Sequence, residues 1–316
     1  MQVPLLSDIR TAHKLVRTHV HNTPVLTSRS LNSAAGCRVF LKCENFQKVG
    51  AFKFRGASNA IFSLSDGEAR QGVATHSSGN HAQAVALAAK MRGIPAYIVM
   101  PENAPRVKVN AVSGYGANIT FCESTLQARE RALDRVVKET GATFIHPYND
   151  PRIIAGQGTA ALELIEEQPD LDTILAPVGG GGLLSGTAIA ASGNPDLNVV
   201  GVEPEEADDA FQSFQSGRLI PIEHTETIAD GLRTSLGDLT FACIRNHADE
   251  IVTVSETEIK NAMRFVMERL KIVIEASSAV PIAALMNGKV NGTIQNVGVI
   301  VSGGNVDFDR LPWNDK

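Results

Sequence analysis

The chain has 316 residues, a formal net charge of −5, 43% apolar residues and 20% charged residues. This is enough material for one large α/β unit or two domains, with an ordinary globular balance and ample core. No basic block offsets the acidic balance, which speaks against nucleic acid or an anionic membrane as partner.

The opening "MQVPLLSDIRTAHKLV" has no basic region followed by an apolar run, so no secretory signal is expected, and a helix is predicted over 8–20. Cys37, Cys43, Cys122 and Cys243 form no CxxC pair and lack zinc-ligand spacing. They read as reduced structural thiols of a cytoplasmic protein. Short runs rich in Val and Ile predict strands over 38–44, 72–76, 96–100, 118–122, 143–145, 173–178, 198–203, 250–254 and 297–303. Helical patterns predict helices over 80–91, 105–114, 125–139, 154–166, 184–191, 256–270 and 278–286. The alternation implies an α/β fold of parallel sheets with helices on both faces. Segment 72–149 reads as a small βαβαβαβ domain inserted between 1–71 and 150–316, which together form the larger one. A cleft between two such domains is a natural ligand site, at the carboxyl ends of the strands. The apolar stretch "TILAPVGGGGLLSGTAIAAS" is broken by glycines and Pro177 and reads as strand, loop and helix rather than a membrane span.

Four short motifs carry chemistry. In "VGAFKFRGA" (49–57), Lys53 sits between Phe52 and Phe54. A lysine there either snorkels to solvent or is kept for its amine. "APVGGGGLLSG" (176–186) places four glycines between an apolar strand and a helix, a backbone anion site suited to a phosphate. It is neither a Walker loop nor GxGxxG, which disfavours a nucleotide-binding oxidoreductase; the bland reading is a flexible turn. "THSSGNHAQAVA" (75–86) groups Ser77, Ser78, Asn80 and His81 where helix N-terminal donors are free, suited either to a substrate carboxylate or to plain capping. "VSGG" (301–304) offers Ser302 to a ligand ring atom, or is simply a turn. A reactive lysine, a phosphate cradle and a carboxylate loop together fit pyridoxal 5′-phosphate, with apolar surroundings lowering the lysine pKa.

With "AGQGT" (155–159), "VEPEEADD" (202–209) and "IADGL" (228–232), these motifs, in order along nearly the whole chain, resemble the serine racemase and serine/threonine dehydratase family, which includes 3-hydroxyaspartate ammonia-lyases. The resemblance implies a fold-type II pyridoxal-phosphate enzyme, tryptophan synthase β-like, with two parallel-sheet domains, a mobile smaller domain and the cofactor in the cleft. It implies that Lys53 is the Schiff-base lysine and one catalytic base. Gly179, Gly180, Gly181, Gly182 and Leu183 would hold the phosphate, Asn80 the 3-hydroxyl and Ser302 the pyridine nitrogen, with Phe52 packed on the ring. Ser77, His81 and Thr234 would grip the substrate carboxylate, and Arg129 would reach the site. Ser78, in the Ser-Ser form that resembles racemases and 3-hydroxyaspartate dehydratases, would serve the opposite face from Lys53; otherwise it caps a helix or binds the carboxylate. A serine at 302, unlike a carboxylate, would not keep the pyridine nitrogen protonated, which suits β-elimination.

The resemblance also implies Mg²⁺, Ca²⁺ or Mn²⁺ at Glu203, the Ala207 carbonyl and Asp209, where composition alone would read a solvated acidic loop. "IEASSA" (274–279) departs from the family's Glu-Pro-Thr/Ser-Ala-Gly: Glu275 and Ser277 are kept, while Ala276 and Ala279 replace Pro and Gly. Lys48 and Lys271 fall near ATP-contacting positions of eukaryotic racemases but read as surface residues, and no ATP binding is expected. The expected function is elimination from a β-hydroxy amino acid such as L-serine or L-threonine to a keto acid and ammonia, with serine racemase activity. The alternative is a dedicated 3-hydroxyaspartate ammonia-lyase giving oxaloacetate and ammonia. A homodimer and a small amino-acid substrate are the expected partners. A non-catalytic binder of the same fold would predict loss of a chemical residue, and Lys53 and Ser78 are both present.

Overall fold

The computed structural model describes residues 2–104, 106–222 and 225–314. Its strands are β1 (Val25–Leu26), β2 (Arg38–Cys43), β3 (Val73–His76), β4 (Ala96–Pro101), β5 (Asn118–Cys122), β6 (Thr143–Phe144), β7 (Thr173–Pro177), β8 (Asn198–Pro204), β9 (Glu250–Val254) and β10 (Asn296–Val301). Its α-helices are α1 (Leu6–Val16), α2 (Arg29–Ala35), α3 (Lys53–Phe62), α4 (Asp66–Gln71), α5 (Asn80–Arg92), α6 (Arg106–Gly114), α7 (Leu126–Thr140), α8 (Pro151–Glu167), α9 (Gly182–Ala191), α10 (Asp209–Ser216), α11 (Asp238–His247), α12 (Glu256–Leu270) and α13 (Ala276–Met286). All nine expected strands and the eight expected helices form, with shifted ends. Position 105, where one helix was expected to begin, lies outside the described residues. Helices α2, α3, α4, α10 and α11 were not expected.

The strands make two sheets. The larger has the order β1-β2-β10-β7-β8-β9, parallel except for the antiparallel edge β1. The smaller, β5-β4-β3-β6, is wholly parallel. The two-residue period sends alternate side chains of each central strand to opposite faces. Phe40, Ile174, Val199 and Ile300 join a core with Ile9, Ile154, Leu184 and Ile189 of α1, α8 and α9. Their neighbours Leu41, Leu175, Val200 and Val299 join a second core with Ile259, Met263 and Ile282 of α12 and α13. Strands covered on both faces need near-continuous apolar sequence, which is what β7 and β10 show.

Helix α9 is buried on every side, as an all-round apolar helix must be. Its crossing with α8 is close: a Cβ on Gly158 would lie 2.6 Å from the Gly186 carbonyl oxygen. Helix α3 buries polar residues, Arg55, Ser58 and Asn59 among them. Arg55 is fully buried and donates from Nε to Glu44 at 2.7 Å and from Nη2 to Glu163 at 2.7 Å. Lys42, also fully buried, meets Glu163 at 2.8 Å. This ionic cluster anchors α3 to β2 and α8, two residues from Lys53. No helix among the described residues is long and apolar enough to cross a membrane.

Candidate active site

The functional segments leave the carboxyl ends of the strands. After β2 the chain turns through Val49 (φ +57) and Gly50 (φ +67). A β-branched residue at positive φ is strained, and it is tied down by Asn305, whose Nδ2 donates to the Val49 carbonyl at 2.7 Å. This turn delivers Lys53 as the first residue of α3. Its Nζ lies 5.1 Å from the centroid of the Phe52 ring and donates to the Pro147 carbonyl at 2.9 Å. Burial lowers the ammonium pKa to about 8, against the opposing charge of Glu275. The free amine becomes the majority form above about pH 8.

Pro147 carries the geometry across to the glycine loop, because its neighbour Tyr148 lies on that loop. A Cβ at Gly180 would fall 2.3 Å from the Tyr148 ring, and one at Gly179 would fall 2.9 Å from Leu232 Cα. Gly181 takes φ +84 as the N-cap of α9. The amides of Gly182, Leu183 and Leu184 then open the helix without intrahelical acceptors. Glycine is therefore required by crowding at 179 and 180 and by backbone conformation at 181, and a row of free N–H groups remains for an anion.

Strand β10, beside β7 in the sheet, is followed by Ser302, whose carbonyl accepts from Phe52 N at 2.9 Å. Asn80, at the start of α5, donates from Nδ2 to both oxygens of Glu275 at 3.1 Å and accepts from Asn305 Nδ2 at 2.9 Å. Glu275 is pushed up to about 7 by burial, then by the charge of Asp230. Ser77 Oγ accepts from Gly79 N at 3.2 Å. Ser78 is half-buried, and its hydroxyl has no hydrogen-bond partner among the described residues. His81 is 3% exposed, and its Nε2 donates to the Ile145 carbonyl at 3.1 Å, leaving Nδ1 a buried, unpartnered acceptor. Burial, and then Lys53, holds its pKa well below the usual imidazole value. A neutral acceptor suits an O–H or N–H better than a carboxylate oxygen.

Arg129, in the first turn of α7, influences His76 and Cys122, and its Nε is buried without a partner. Thr234 is exposed in the loop before α11, two residues beyond the Leu232 that walls Gly179. The structure adds residues that sequence reasoning gave no role here. His146 accepts from the amides of Tyr148 and Asn149 at 3.2 and 2.8 Å through Nδ1, so it orients the Pro147–Tyr148 segment as a neutral ring. Burial, then His76 and Lys53, lowers its pKa to about 4. "FIHPYND" carried a signal in its histidine and tyrosine, but no spacing tied them to Lys53.

Glu203 is fully buried at the end of β8 and accepts from the amides of Ala210 and Phe211 at 3.2 and 2.7 Å. Asp209 accepts from Leu236 N at 3.1 Å through Oδ2, while Oδ1 is buried without a partner. Burial, and next the charge of Asp209, raises Glu203 well above the usual carboxylate range; burial pushes Asp209 up to about 7. Two buried carboxylates with an orphaned oxygen fit a hard cation. The described residues contain no cluster of three or more metal-ligating side chains.

Comparison with known proteins agrees with this geometry. The β-hydroxyaspartate dehydratase of Paracoccus denitrificans (strain Pd 1222) is 50% identical over 99% of this chain and 100% of its own. A serine racemase of Arabidopsis thaliana is 50% identical over 97% of this chain and 94% of its own. The crystal structure of serine racemase from Dictyostelium discoideum superposes with a TM-score of 0.93 at 50% identity, covering 96% of this chain and 99% of that one. The model of the pyridoxal-phosphate dependent enzymes matches residues 16–303. The chain belongs to the pyridoxal-phosphate dependent enzyme family.

Proposed function

We propose that this enzyme converts a β-hydroxy amino acid, such as L-serine or L-threonine, to a keto acid and ammonia by β-elimination, with serine racemase activity. The observation that carries this reading is Lys53: a lysine with its pKa lowered to about 8, donating to Pro147, whose neighbour Tyr148 walls the phosphate-type loop. Bound pyridoxal phosphate supplies an aldehyde for the amino group and an electron sink for the α-carbon. The chain's own residues do the rest. Free amides of Gly182 and Leu183 bind the phosphate, and Gly179, Gly180 and Gly181 let the backbone approach it. Asn80, fixed by Glu275 and Asn305, orients the ring edge, and Phe52 packs beside Lys53. Ser77 offers a hydroxyl to the substrate carboxylate. Lys53 moves the α-proton on one face, and Ser78, with its uncommitted hydroxyl, stands for the other.

A second reading, a 3-hydroxyaspartate ammonia-lyase giving oxaloacetate and ammonia, is supported by the unpartnered buried Nε of Arg129, which suits a second carboxylate, and by the name of the Paracoccus relative. The proposal includes Mg²⁺, Ca²⁺ or Mn²⁺ at Glu203, the Ala207 carbonyl and Asp209, a small-sheet domain over 72–149 that closes on the larger one, and a homodimer. Lys108 of α6 bonds Asp230 at 2.9 Å, already joining the two sides. The test incubates the holoenzyme with L-serine, L-threonine and the isomers of 3-hydroxyaspartate, following keto acid and amino-acid chirality together. Keto acid plus D-serine supports the first reading. Fast turnover of hydroxyaspartate with little D-product supports the second, and no keto acid from any substrate refutes both.

A further inference from the structure

Ser278 has no role in the reading above, and it stands where the family pattern has alanine. It lies in the first turn of α13, fully buried, against Ser302, which is 2% exposed. Its Oγ makes three contacts: 2.7 Å to Gly303 N, 2.7 Å to Gly303 O and 3.0 Å to Ser302 Oγ. A hydroxyl has one proton and two lone pairs. The amide of Gly303 can only donate, so it takes one lone pair. The carbonyl of Gly303 can only accept, so the closer contact takes the proton. One lone pair remains for Ser302, which must therefore be the donor of that pair.

We infer that Ser278 draws the hydroxyl proton of Ser302 toward itself, so that Ser302 presents only lone pairs and favours a cofactor whose ring nitrogen carries a proton. This rests on Ser302 as the partner of the ring nitrogen. It reverses the expectation that a serine at 302 leaves that nitrogen unprotonated. An unprotonated nitrogen would set lone pair against lone pair, or would have to break the Ser302–Ser278 bond in a site closed to water. Alanine at 278 leaves the Ser302 proton free to point at the ring. The other charged groups nearby act in the same direction or stand aside. The Glu275 carboxylate lies against Gly303, where a Cβ would come within 2.8 Å of Oε1, and favours positive charge; Lys53 is spent on the cofactor aldehyde in the reading above. A protonated ring withdraws more electron density from the α-carbon, which favours proton exchange there over immediate loss of the β-hydroxyl. Ser278 is thus a positioning residue acting through Ser302.

The test reconstitutes the wild type, Ser278→Ala, Ser278→Thr and Ser302→Ala with pyridoxal phosphate labelled with ¹⁵N in the ring. It reads the nitrogen chemical shift by NMR and the cofactor affinity by titration. The expected result is a pyridinium-type signal in the wild type and in Ser278→Thr, and a shift toward the unprotonated value in Ser278→Ala. A wild-type signal of unprotonated pyridine, with weaker cofactor binding in Ser302→Ala, overturns the inference while Ser302 keeps its place. A pyridinium signal unchanged in Ser278→Ala overturns the part assigned to Ser278. Ser302→Ala with unaltered signal and affinity removes Ser302 from the ring, and the inference with it. A wild-type signal of unprotonated pyridine overturns the inference even where a variant does not fold.

Discussion

At the scale of single residues, Lys53 and Ser78 make separate predictions. Lys53 accepts the cofactor only as the free amine, and its pKa is lowered to about 8. Below that value most of the population is protonated, so the reconstitution rate should rise with pH and level off above about 8. Replacing Glu275 by Gln removes the charge that opposes the lowering, so the midpoint should move to lower pH. Absorbance-followed reconstitution across pH checks both, and a pH-independent rate excludes Lys53 as the attacking amine. Ser78→Ala should reduce racemisation by roughly 10²-fold or more, the usual contribution of a positioned acid or base. Elimination from the L-enantiomer should remain largely intact. Equal loss of both activities would make Ser78 a carboxylate-holding residue. Lys53, Asn80 and the glycines were legible in the sequence because each sits in a motif whose spacing is local. Glu275 and Asn305 act through partners far away in the chain (Asn80 and Glu275 are 195 residues apart), and no local pattern records such a meeting.

At the scale of elements, the long strands and helices followed from period and composition, whereas α3 did not. "KFRGASNAIF" has a glycine and several weak helix formers, and tertiary packing overrides that propensity. The Arg55–Glu44–Glu163 cluster is the reason α3 stays where Lys53 needs it. Arg55→Ala leaves Glu44 buried without its cation, and breaking one partner of a buried pair costs about 3–5 kcal/mol. A loss of unfolding free energy of that size, read from the lowered urea midpoint, is expected, together with weaker cofactor retention. An unchanged midpoint would mean that β2 and α8 hold the helix without the cluster. Short α2 and α4 rest on caps at Ser28 and Ser65 rather than on an apolar stripe, which is why periodicity missed them.

At the scale of the whole molecule, the cation proposed at the acidic loop after β8 would link ligand binding to global stability. A cation bound only by the native state stabilises it by mass action, by about 2.7 kcal/mol at a hundredfold excess over Kd. Chelation should therefore lower the thermal midpoint of the wild type, and Mg²⁺ should restore it. Asp209→Asn should be indifferent to both. A wild-type midpoint insensitive to chelator removes the cation from the proposal. The sequence by itself determined the α/β class, the order of nine strands and eight helices, and the motifs at strand ends, because hydrophobic period and turn chemistry act over a few residues. Only the tertiary structure decided that Tyr148 walls the glycine loop, that His81 is a neutral acceptor, and that Ser278 meets Ser302. Those facts depend on which strands lie side by side and on burial that sets protons and lone pairs, and neither is a property of any short stretch of chain.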